Sequence, residues 1–133
     1  MPRLHVLAVS ARLPGWAEQA CAEYARRMPR GYDVERVAVK DESRLALPRG
    51  ARLVALDERG RELTTAQFAQ LLDAPRAFVI GGADGLSAAL KRNADLVLRL
   101  SSLTLPHALA QVVLLEQLYR AATLRTGHPY HRG

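Results

Sequence analysis

The feature of this sequence that most constrains its fold is a set of short segments that are apolar at almost every position. Leu4–Val9 (LHVLAV), residues 52–56 (RLVAL) and residues 77–80 (AFVI) are the clearest examples. Such segments are typical of strands that are buried on both faces, as in parallel sheets. Residues 96–100 have the same character, whereas the alternation of residues 33–39 (DVERVAV) predicts a strand at the edge of the sheet.

Segments with helical character lie between these strands. Apolar residues recur at every fourth position over residues 16–28, which predicts a helix there. Shorter helices are predicted over residues 66–72 and 87–94, and a long one over residues 106–124. Residues 40–51 are charged and show no clear period, so we expect a connection with at most one helical turn. The predicted caps are Thr64 with Gln67, which have the spacing of a capping box, and Ser87.

The alternation of strands and helices predicts an α/β fold with a mainly parallel sheet that helices cover on both faces. A chain of 133 residues fits one domain over residues 1–133, with no internal repeat and no linker. No apolar run approaches the roughly 20 residues needed to cross a membrane, and the first residues are strand-like rather than a signal peptide. Cys21 is the single cysteine, so no disulfide framework is expected. These features favour a cytoplasmic protein.

The balance of charge favours a partner that carries phosphate. The net charge is +6, and Lys40 and Lys91 are the only lysines among the basic residues. Arginine binds phosphate in a bidentate manner, so a broad basic face is typical of proteins that bind nucleic acid. The alternative is that the arginine content only reflects the base composition of the genome.

Three loops are candidates for a ligand site because they follow the carboxyl ends of predicted parallel strands, where ligands bind in open sheets. They begin after Leu56, Ile80 and Leu100. The middle loop, GGADG, would let the backbone approach a ligand closely, although a tight turn would also explain it. It matches neither the dinucleotide fingerprint nor the Walker loop.

The third of these loops, residues 100–106 (LSSLTLP), is unusual because it is rich in both leucine and hydroxyl groups. Surface loops are normally polar, so this composition indicates a loop tucked into the protein, with its backbone directed at something bound. An ordinary connection with core leucines is the alternative. The helix that follows is apolar around most of its circumference and needs cover on two sides. We expect the sheet to supply one side and a symmetric partner subunit the other.

The tail GHPYHRG is the last candidate feature. Its proline, tyrosine, histidines and arginine would suit a segment that lies against a surface or closes a pocket. His128 and His131 flank Pro129, and no carboxylate or cysteine near them completes a metal site, so no metal is expected.

The order of these segments resembles a known family. The strings that carry the resemblance are LHVLAVSARLPGWAEQACAEYARRMP, LVALDERG, FVIGGADGLS, LSSLTLPHALAQVVLLEQLYRA and HPYHRG, which together cover most of the chain. They are similar to the ribosomal large-subunit pseudouridine methyltransferases of the SPOUT superfamily, the RlmH or YbeA-like family. The resemblance implies a C-terminal trefoil knot, a homodimer through the C-terminal helix, and S-adenosylmethionine as the methyl donor.

The family substrate implied is a pseudouridine in a stem-loop of 23S ribosomal RNA, methylated at N3 on the assembled ribosome. By the same resemblance the cofactor pocket is built from the three strand-end loops. Its expected residues are Leu56, Gly81, Leu100, Ser101, Ser102, Leu103, Thr104 and Leu105.

Methyl transfer from a sulfonium is an in-line displacement that needs positioning rather than a metal. The N3–H of the base must lose its proton, which requires a general base or a cation that stabilises the anion. His131 and Arg132 are the candidates for these roles, and Tyr130 for shaping the pocket or stacking on the target base. His107 is the second candidate base.

Two departures from the family pattern concern the regions outside the cofactor loops. Residues 40–51 stand where the family usually carries a longer insert with a helix, and residues 57–78 form a slightly shorter segment. Gly127 also stands where an asparagine is common.

The alternatives to the enzyme are a non-catalytic ribosome- or RNA-binding factor of the same fold, and a methyltransferase that acts on transfer RNA.

Overall fold

The sheet of this protein has five parallel strands, seen in a computed structural model that describes residues 3–10 and 12–132, with side chains as far as residue 130. Their order across the sheet is β2-β1-β4-β3-β5, so the predicted parallel sheet is confirmed, and the alternating second strand lies at an edge as predicted. The strands are β1 (Leu4–Val9), β2 (Val34–Val39), β3 (Arg52–Glu62), β4 (Arg76–Ile80) and β5 (Leu96–Arg99).

Helices cover both faces of the sheet, but unequally. Three of them pack on one face, where α4 contacts both α1 and α2. The other face is covered by α3 and by the connection that follows β2, which contains only a short 3-10 turn, Glu42–Arg44, as expected. The helices are α1 (Gly15–Arg27), α2 (Thr65–Gln70), α3 (Ala88–Asn93) and α4 (His107–Thr126).

The core consists of two clusters, because successive side chains of a strand point to opposite faces. In β4, Phe78 and Ile80 pack with α1, α2 and α4, whereas Ala77 and Val79 face α3. The larger cluster is closed by α4, of which Leu114, Leu115 and Leu118 are fully buried. The sheet, α1 and α2 therefore already cover much of α4 within one chain, while Leu109 and Leu124 remain more than a third exposed.

The helix caps lie where the sequence places them. The Thr64 hydroxyl accepts a hydrogen bond from the Gln67 backbone N–H at 3.1 Å, and the Gln67 side chain accepts one from the Thr64 N–H at 2.9 Å. The Ser87 hydroxyl accepts from the Leu90 N–H at 3.1 Å and caps α3. None of the helices in the described ranges is long and apolar enough to cross a membrane.

Strand β3 is longer than the sequence predicts. The charged residues after Leu56 indicate a turn, but the strand continues to Glu62. Leu56 and Arg61 both pair with Leu98 of β5, so the residues between them form a bulge. Gly60 lies so close to β5 that a Cβ atom there would be 2.7 Å from the Leu98 carbonyl carbon. The second half of β3 is polar because β5 is at the edge of the sheet and leaves these side chains exposed.

Candidate active site

A cavity of about 450 Å³ lies at the carboxyl ends of β3, β4 and β5. The three loops chosen from the sequence line it together, along with the first turns of α4. Of the residues expected there, Ser102 is exposed and does not line the cavity. Those that do line it are Leu56, Gly81, Leu100, Ser101, Leu103, Thr104 and Leu105.

The loop over residues 100–106 forms an exposed wall of the cavity in the single chain. Leu103 is 75% exposed, and Thr104 is also exposed, so the expectation of a tucked loop is wrong for its middle. The turn is held locally, since the Ser101 hydroxyl accepts a hydrogen bond from the Leu103 N–H at 2.9 Å. Only the flanking Leu100 packs against the larger core cluster.

The glycine loop, residues 81–85, is a tight turn that also forms the floor of the cavity. The Gly85 N–H donates to the Gly82 carbonyl at 3.0 Å. A Cβ atom on Gly81 would lie 2.7 Å from the Gly85 carbonyl carbon, a distance that real Cβ atoms do not reach, so only glycine fits. Both interpretations of GGADG therefore describe one feature: a tight turn that presents backbone to the cavity.

His107 connects α4 to the glycine loop. Its Nδ1–H donates to the Gly81 carbonyl at 2.9 Å, and its Nε2 accepts from the side-chain amide of the buried Gln111 at 2.9 Å. A carbonyl oxygen can only accept, so the ring proton is on Nδ1. Both ring nitrogens are thus engaged within the chain, an arrangement that orients the loop and leaves neither nitrogen open to a substrate.

The charged side chains that line the cavity are predominantly acidic. Asp57, Glu58 and Asp84 face it together with Lys91 and Arg99. Lys91 Nζ lies 3.4 Å from an Asp57 carboxylate oxygen, and Arg99 is paired at 2.6 Å with Glu62, which is not part of the lining. Since these pairs neutralise both cations, the remaining carboxylates favour a ligand that carries positive charge.

The structure places Tyr130 away from the cavity of its own chain. Its hydroxyl donates to Glu116 at 2.9 Å, its ring meets Tyr119 edge-on at 4.5 Å, and the Arg120 guanidinium lies 4.9 Å from the ring centre. Burial, with hydrogen bonds to Tyr24 and Glu116, raises the pKa of Tyr130 above its ordinary value. Glu116 is nine residues beyond His107, or about 13 Å along the helix axis.

The side chains of His131 and Arg132 lie outside the described part of the chain, and only their backbone in the turn Pro129–Arg132 is seen. Sequence reasoning did not name the charged lining residues. Asp57 and Asp84 could have been found, since Asp57 directly follows the predicted strand end Leu56 and Asp84 lies four positions after Ile80. Lys91 and Arg99 could not have been found in this way, because Lys91 reaches the cavity from a helix and Arg99 is the last residue of a strand.

A family model described as Predicted SPOUT methyltransferase matches residues 2–131, and the chain belongs to this family of methyltransferases. Within it, the chain is 49% identical to the Ribosomal RNA large subunit methyltransferase H of Burkholderia mallei (strain SAVP1), over 98% of this chain and 99% of the relative. The resemblance inferred from the motifs is thereby confirmed. The alignment spans 154 positions, whereas this chain has 133 residues. The alignment therefore contains gaps where the relative has residues that this chain lacks.

Solved structures of low sequence identity share the fold. A probable methylase family protein from Haemophilus influenzae Rd KW20 superposes with a TM-score of 0.65 at 13% identity, over 96% of this chain and 69% of the other. The SpoU methyltransferase AviRb from Streptomyces viridochromogenes, solved in complex with the cofactor AdoMet, gives a TM-score of 0.56 at 18% identity, over 92% of this chain and 57% of the other.

Proposed function

We propose that this protein transfers a methyl group from S-adenosylmethionine to N3 of a pseudouridine in a stem-loop of 23S ribosomal RNA. The observation that carries the proposal is the cavity where the three strand-end loops meet, in a chain 49% identical to a ribosomal RNA large-subunit methyltransferase. The cavity volume of about 450 Å³ is within the range usual for small-molecule and cofactor sites.

The residues present fit the cofactor. The backbone of the lining residues Leu56, Gly81, Leu100, Ser101 and 103–105 would hold the cofactor by hydrogen bonds, and the acidic lining complements a cation. When bound, the cofactor supplies an electrophilic methyl group and departs as a neutral thioether. The chain's own task is to hold the base nitrogen in line with that methyl group and to exclude water.

The proton of N3–H must leave, and we assign this step to the tail. His131 would accept the proton, Arg132 would stabilise the anionic base, and Tyr130 would stack on it or shape the pocket. His107 is the weaker candidate base because both of its ring nitrogens are already hydrogen-bonded. We assign His107 the role of holding the glycine loop.

The position of the tail supports a homodimer in which each cavity is completed by the partner subunit. Tyr130 docks on α4 well beyond the first turns that line the cavity of its own chain. Partly exposed apolar residues of α4, Leu109 among them, would pack in the subunit interface. One subunit would then hold the cofactor while the basic face of the other binds RNA.

From family membership we further propose a C-terminal trefoil knot and a cytoplasmic location, where assembled ribosomes are found.

The experiment that tests this function uses ribosomes from a strain that lacks the protein. They are incubated with the purified protein and labelled S-adenosylmethionine, and RNA fragments are analysed by mass spectrometry. A methyl group on a large-subunit pseudouridine is the expected result. Cofactor binding without transfer would redirect the search to another substrate, such as transfer RNA, and neither binding nor transfer would favour a non-catalytic binding factor.

A further inference from the structure

The glycine loop lies between the first cavity and a second one of about 570 Å³. The second cavity is bounded on its other side by the segments that follow β1 and β2, and Gly82–Gly85 and His107 line both cavities. A segment with open space on two sides receives little support from the packing of side chains. The position of this shared wall therefore depends on hydrogen bonds at the two ends of the loop.

The far end of the loop is held by a side chain from a distant part of the chain. The Glu42 carboxylate accepts hydrogen bonds from the Ser87 backbone N–H at 2.7 Å and from the Ser87 hydroxyl. Leu86, between the loop and Ser87, is buried in the smaller core cluster. This end of the loop is thus fixed by a core contact and by a hydrogen-bonded carboxylate together.

The near end of the loop depends on the peptide unit between Gly81 and Gly82, which both line the first cavity. Neither residue has a Cβ atom, so side-chain sterics restrict the rotation of this peptide unit very little. Its carbonyl oxygen, that of Gly81, accepts a hydrogen bond from His107 Nδ1 at 2.9 Å. Because a peptide unit is planar, the same hydrogen bond also sets the direction of the Gly82 N–H.

The ring of His107 is held in turn by Gln111, one turn further along α4. The Gln111 side chain is only 3% exposed, and its amide group donates to His107 Nε2 at 2.9 Å. A neutral imidazole has one donor and one acceptor, so a donor at Nε2 requires the ring proton to be on Nδ1, facing the Gly81 carbonyl. Gln111 therefore selects the ring orientation and the tautomer that hold the loop.

Packing alone does not account for a glutamine at this position. The later buried residues of α4 include Leu114, Leu115 and Leu118, and a leucine in place of Gln111 would bury no polar group. Gln111 also lines neither cavity. Its hydrogen bond to His107 is the contact through which it reaches the site.

From these contacts we propose that Gln111 is a positioning residue for cofactor binding. By donating to His107, it fixes the peptide unit between Gly81 and Gly82 in the wall of the first cavity, in the orientation that the cofactor meets. The inference rests on the proposed function for the identity of the ligand, S-adenosylmethionine. It adds a residue that does not line the cavity and that no motif in the sequence singles out.

The first test compares Gln111→Met with the wild type. Methionine is unbranched and fills a similar space but has no donor, so the variant removes the hydrogen bond and keeps the core filled. The Kd for S-adenosylmethionine, measured by calorimetry, should rise about fivefold, as expected for one lost hydrogen bond. In the ribosome assay the KM for the cofactor should rise by a similar factor, and kcat should stay near the wild-type value.

Gln117→Met is the matched control. Gln117 lies on the same helix, lines neither cavity, and accepts a hydrogen bond from the Thr65 hydroxyl at 2.9 Å. This variant should bind S-adenosylmethionine as the wild type does. Urea denaturation of both variants measures any loss of stability separately from the change in Kd.

A double-mutant cycle with His107→Ala shows whether Gln111 acts through His107. His107→Ala alone should weaken cofactor binding at least as much as Gln111→Met does. Adding Gln111→Met to His107→Ala should change the Kd no further, because the acceptor of the amide is already gone. If the two effects instead multiply, Gln111 acts independently of His107 and the proposal is overturned.

Nitrogen NMR spectra of the imidazole rings give a readout that does not depend on the cofactor. The His107 signals, assigned by comparison with His107→Ala, should show the proton on Nδ1 in the wild type and a mixture of tautomers in Gln111→Met. An unchanged ring spectrum together with a raised Kd would contradict the proposal, since the effect would not pass through His107.

The outcomes separate this inference from the proposed function. If the wild type binds S-adenosylmethionine and methylates ribosomes while Gln111→Met has the same Kd, the inference is overturned and the proposed function stands. If the ring spectrum changes as expected but the wild type binds no S-adenosylmethionine, the proposed function fails, and the role of Gln111 in cofactor binding fails with it.

Discussion

At the scale of single residues, glycines and one tyrosine decide how closely the parts of this protein approach each other. Gly81 and Gly60 lie where any side chain would collide with backbone, one in the floor of the cavity and the other in the bulge of β3. Tyr130 instead supplies contacts, because its ring and hydroxyl attach the tail to α4. Gly81 therefore sets the shape of the cavity floor, Gly60 allows β3 to approach β5, and Tyr130 attaches the tail to α4.

Gly60→Ala should destabilise the protein by about 2 kcal/mol or more, because its Cβ atom would lie 2.7–2.8 Å from backbone atoms of Val97 and Leu98, which cannot move without separating β3 from β5. Urea denaturation measures the effect. Gly15→Ala is the control, since a Cβ atom there meets nothing within 4 Å at the start of α1, and it should be neutral or slightly stabilising. Equal midpoints for the two variants would contradict the assigned packing of the bulge.

Tyr130 should make stability fall at alkaline pH. Its pKa is raised by burial and hydrogen bonding, so the folded state favours the protonated phenol. The stabilisation is fully present below the unfolded pKa of about 10 and is lost as the pH rises through the higher folded value. Thermal unfolding between pH 8 and pH 12 should show this loss in the wild type and a weaker loss in Tyr130→Phe. A wild-type curve equal to that of Tyr130→Phe would mean that Tyr130 is not docked on α4.

At the scale of elements, helix ends and strand ends place the loops around the site. The capping box of α2 begins the helix immediately after β3, and Ser87 begins α3 after the glycine loop. Both caps satisfy backbone N–H groups that would otherwise lack partners. The elements therefore start at defined residues, so the loops between them have fixed lengths.

Thr64→Ala should cost about 1 kcal/mol of stability, since it removes the acceptor for the Gln67 N–H and breaks the reciprocal pair. Chemical denaturation of the purified variant is the measurement. Thr64→Ser keeps the hydroxyl and should retain most of the stability. A loss of the same size in Thr64→Ser would show that the methyl group of Thr64, rather than its cap, stabilises the helix.

At the scale of the whole molecule, the site that we propose would be shared by two chains, because Tyr130 docks on α4 beyond the cavity of its own chain. A variant with His131→Ala and Arg132→Ala should lose methyl transfer and still bind S-adenosylmethionine by calorimetry. Gly81→Ala should lose cofactor binding, because its Cβ atom would collide with the Gly85 backbone. Each variant should be inactive alone.

Mixing the two inactive variants tests the arrangement. If subunits exchange and each tail serves the partner's cavity, about a quarter of wild-type activity should return, since half of the dimers are mixed and each carries one intact site. Circular dichroism of each variant provides the control for folding. No recovery in mixtures that contain mixed dimers would mean that the tail acts within its own chain, or not at all.

Much of this architecture could be predicted from the sequence for local reasons. Short, uniformly apolar segments predict buried parallel strands, and Thr64 with Gln67 and Ser87 predict helix starts, because both signals depend on neighbouring residues only. The three candidate loops followed from the rule that ligands bind at the carboxyl ends of strands. The motifs shared with the SPOUT methyltransferases identified the family.

Other properties were decided by the tertiary structure, because they depend on contacts between residues far apart in the chain. The polar half of β3 pairs with β5 at Arg61 and Glu62, and both ring nitrogens of His107 are hydrogen-bonded because Gly81 and Gln111 lie beside them. Periodicity records which side of an element is buried, but not which partner buries it. For the same physical reason the sequence indicated which loops could bind a ligand. Only the packing of these loops in the folded chain produces two adjoining cavities that share one wall.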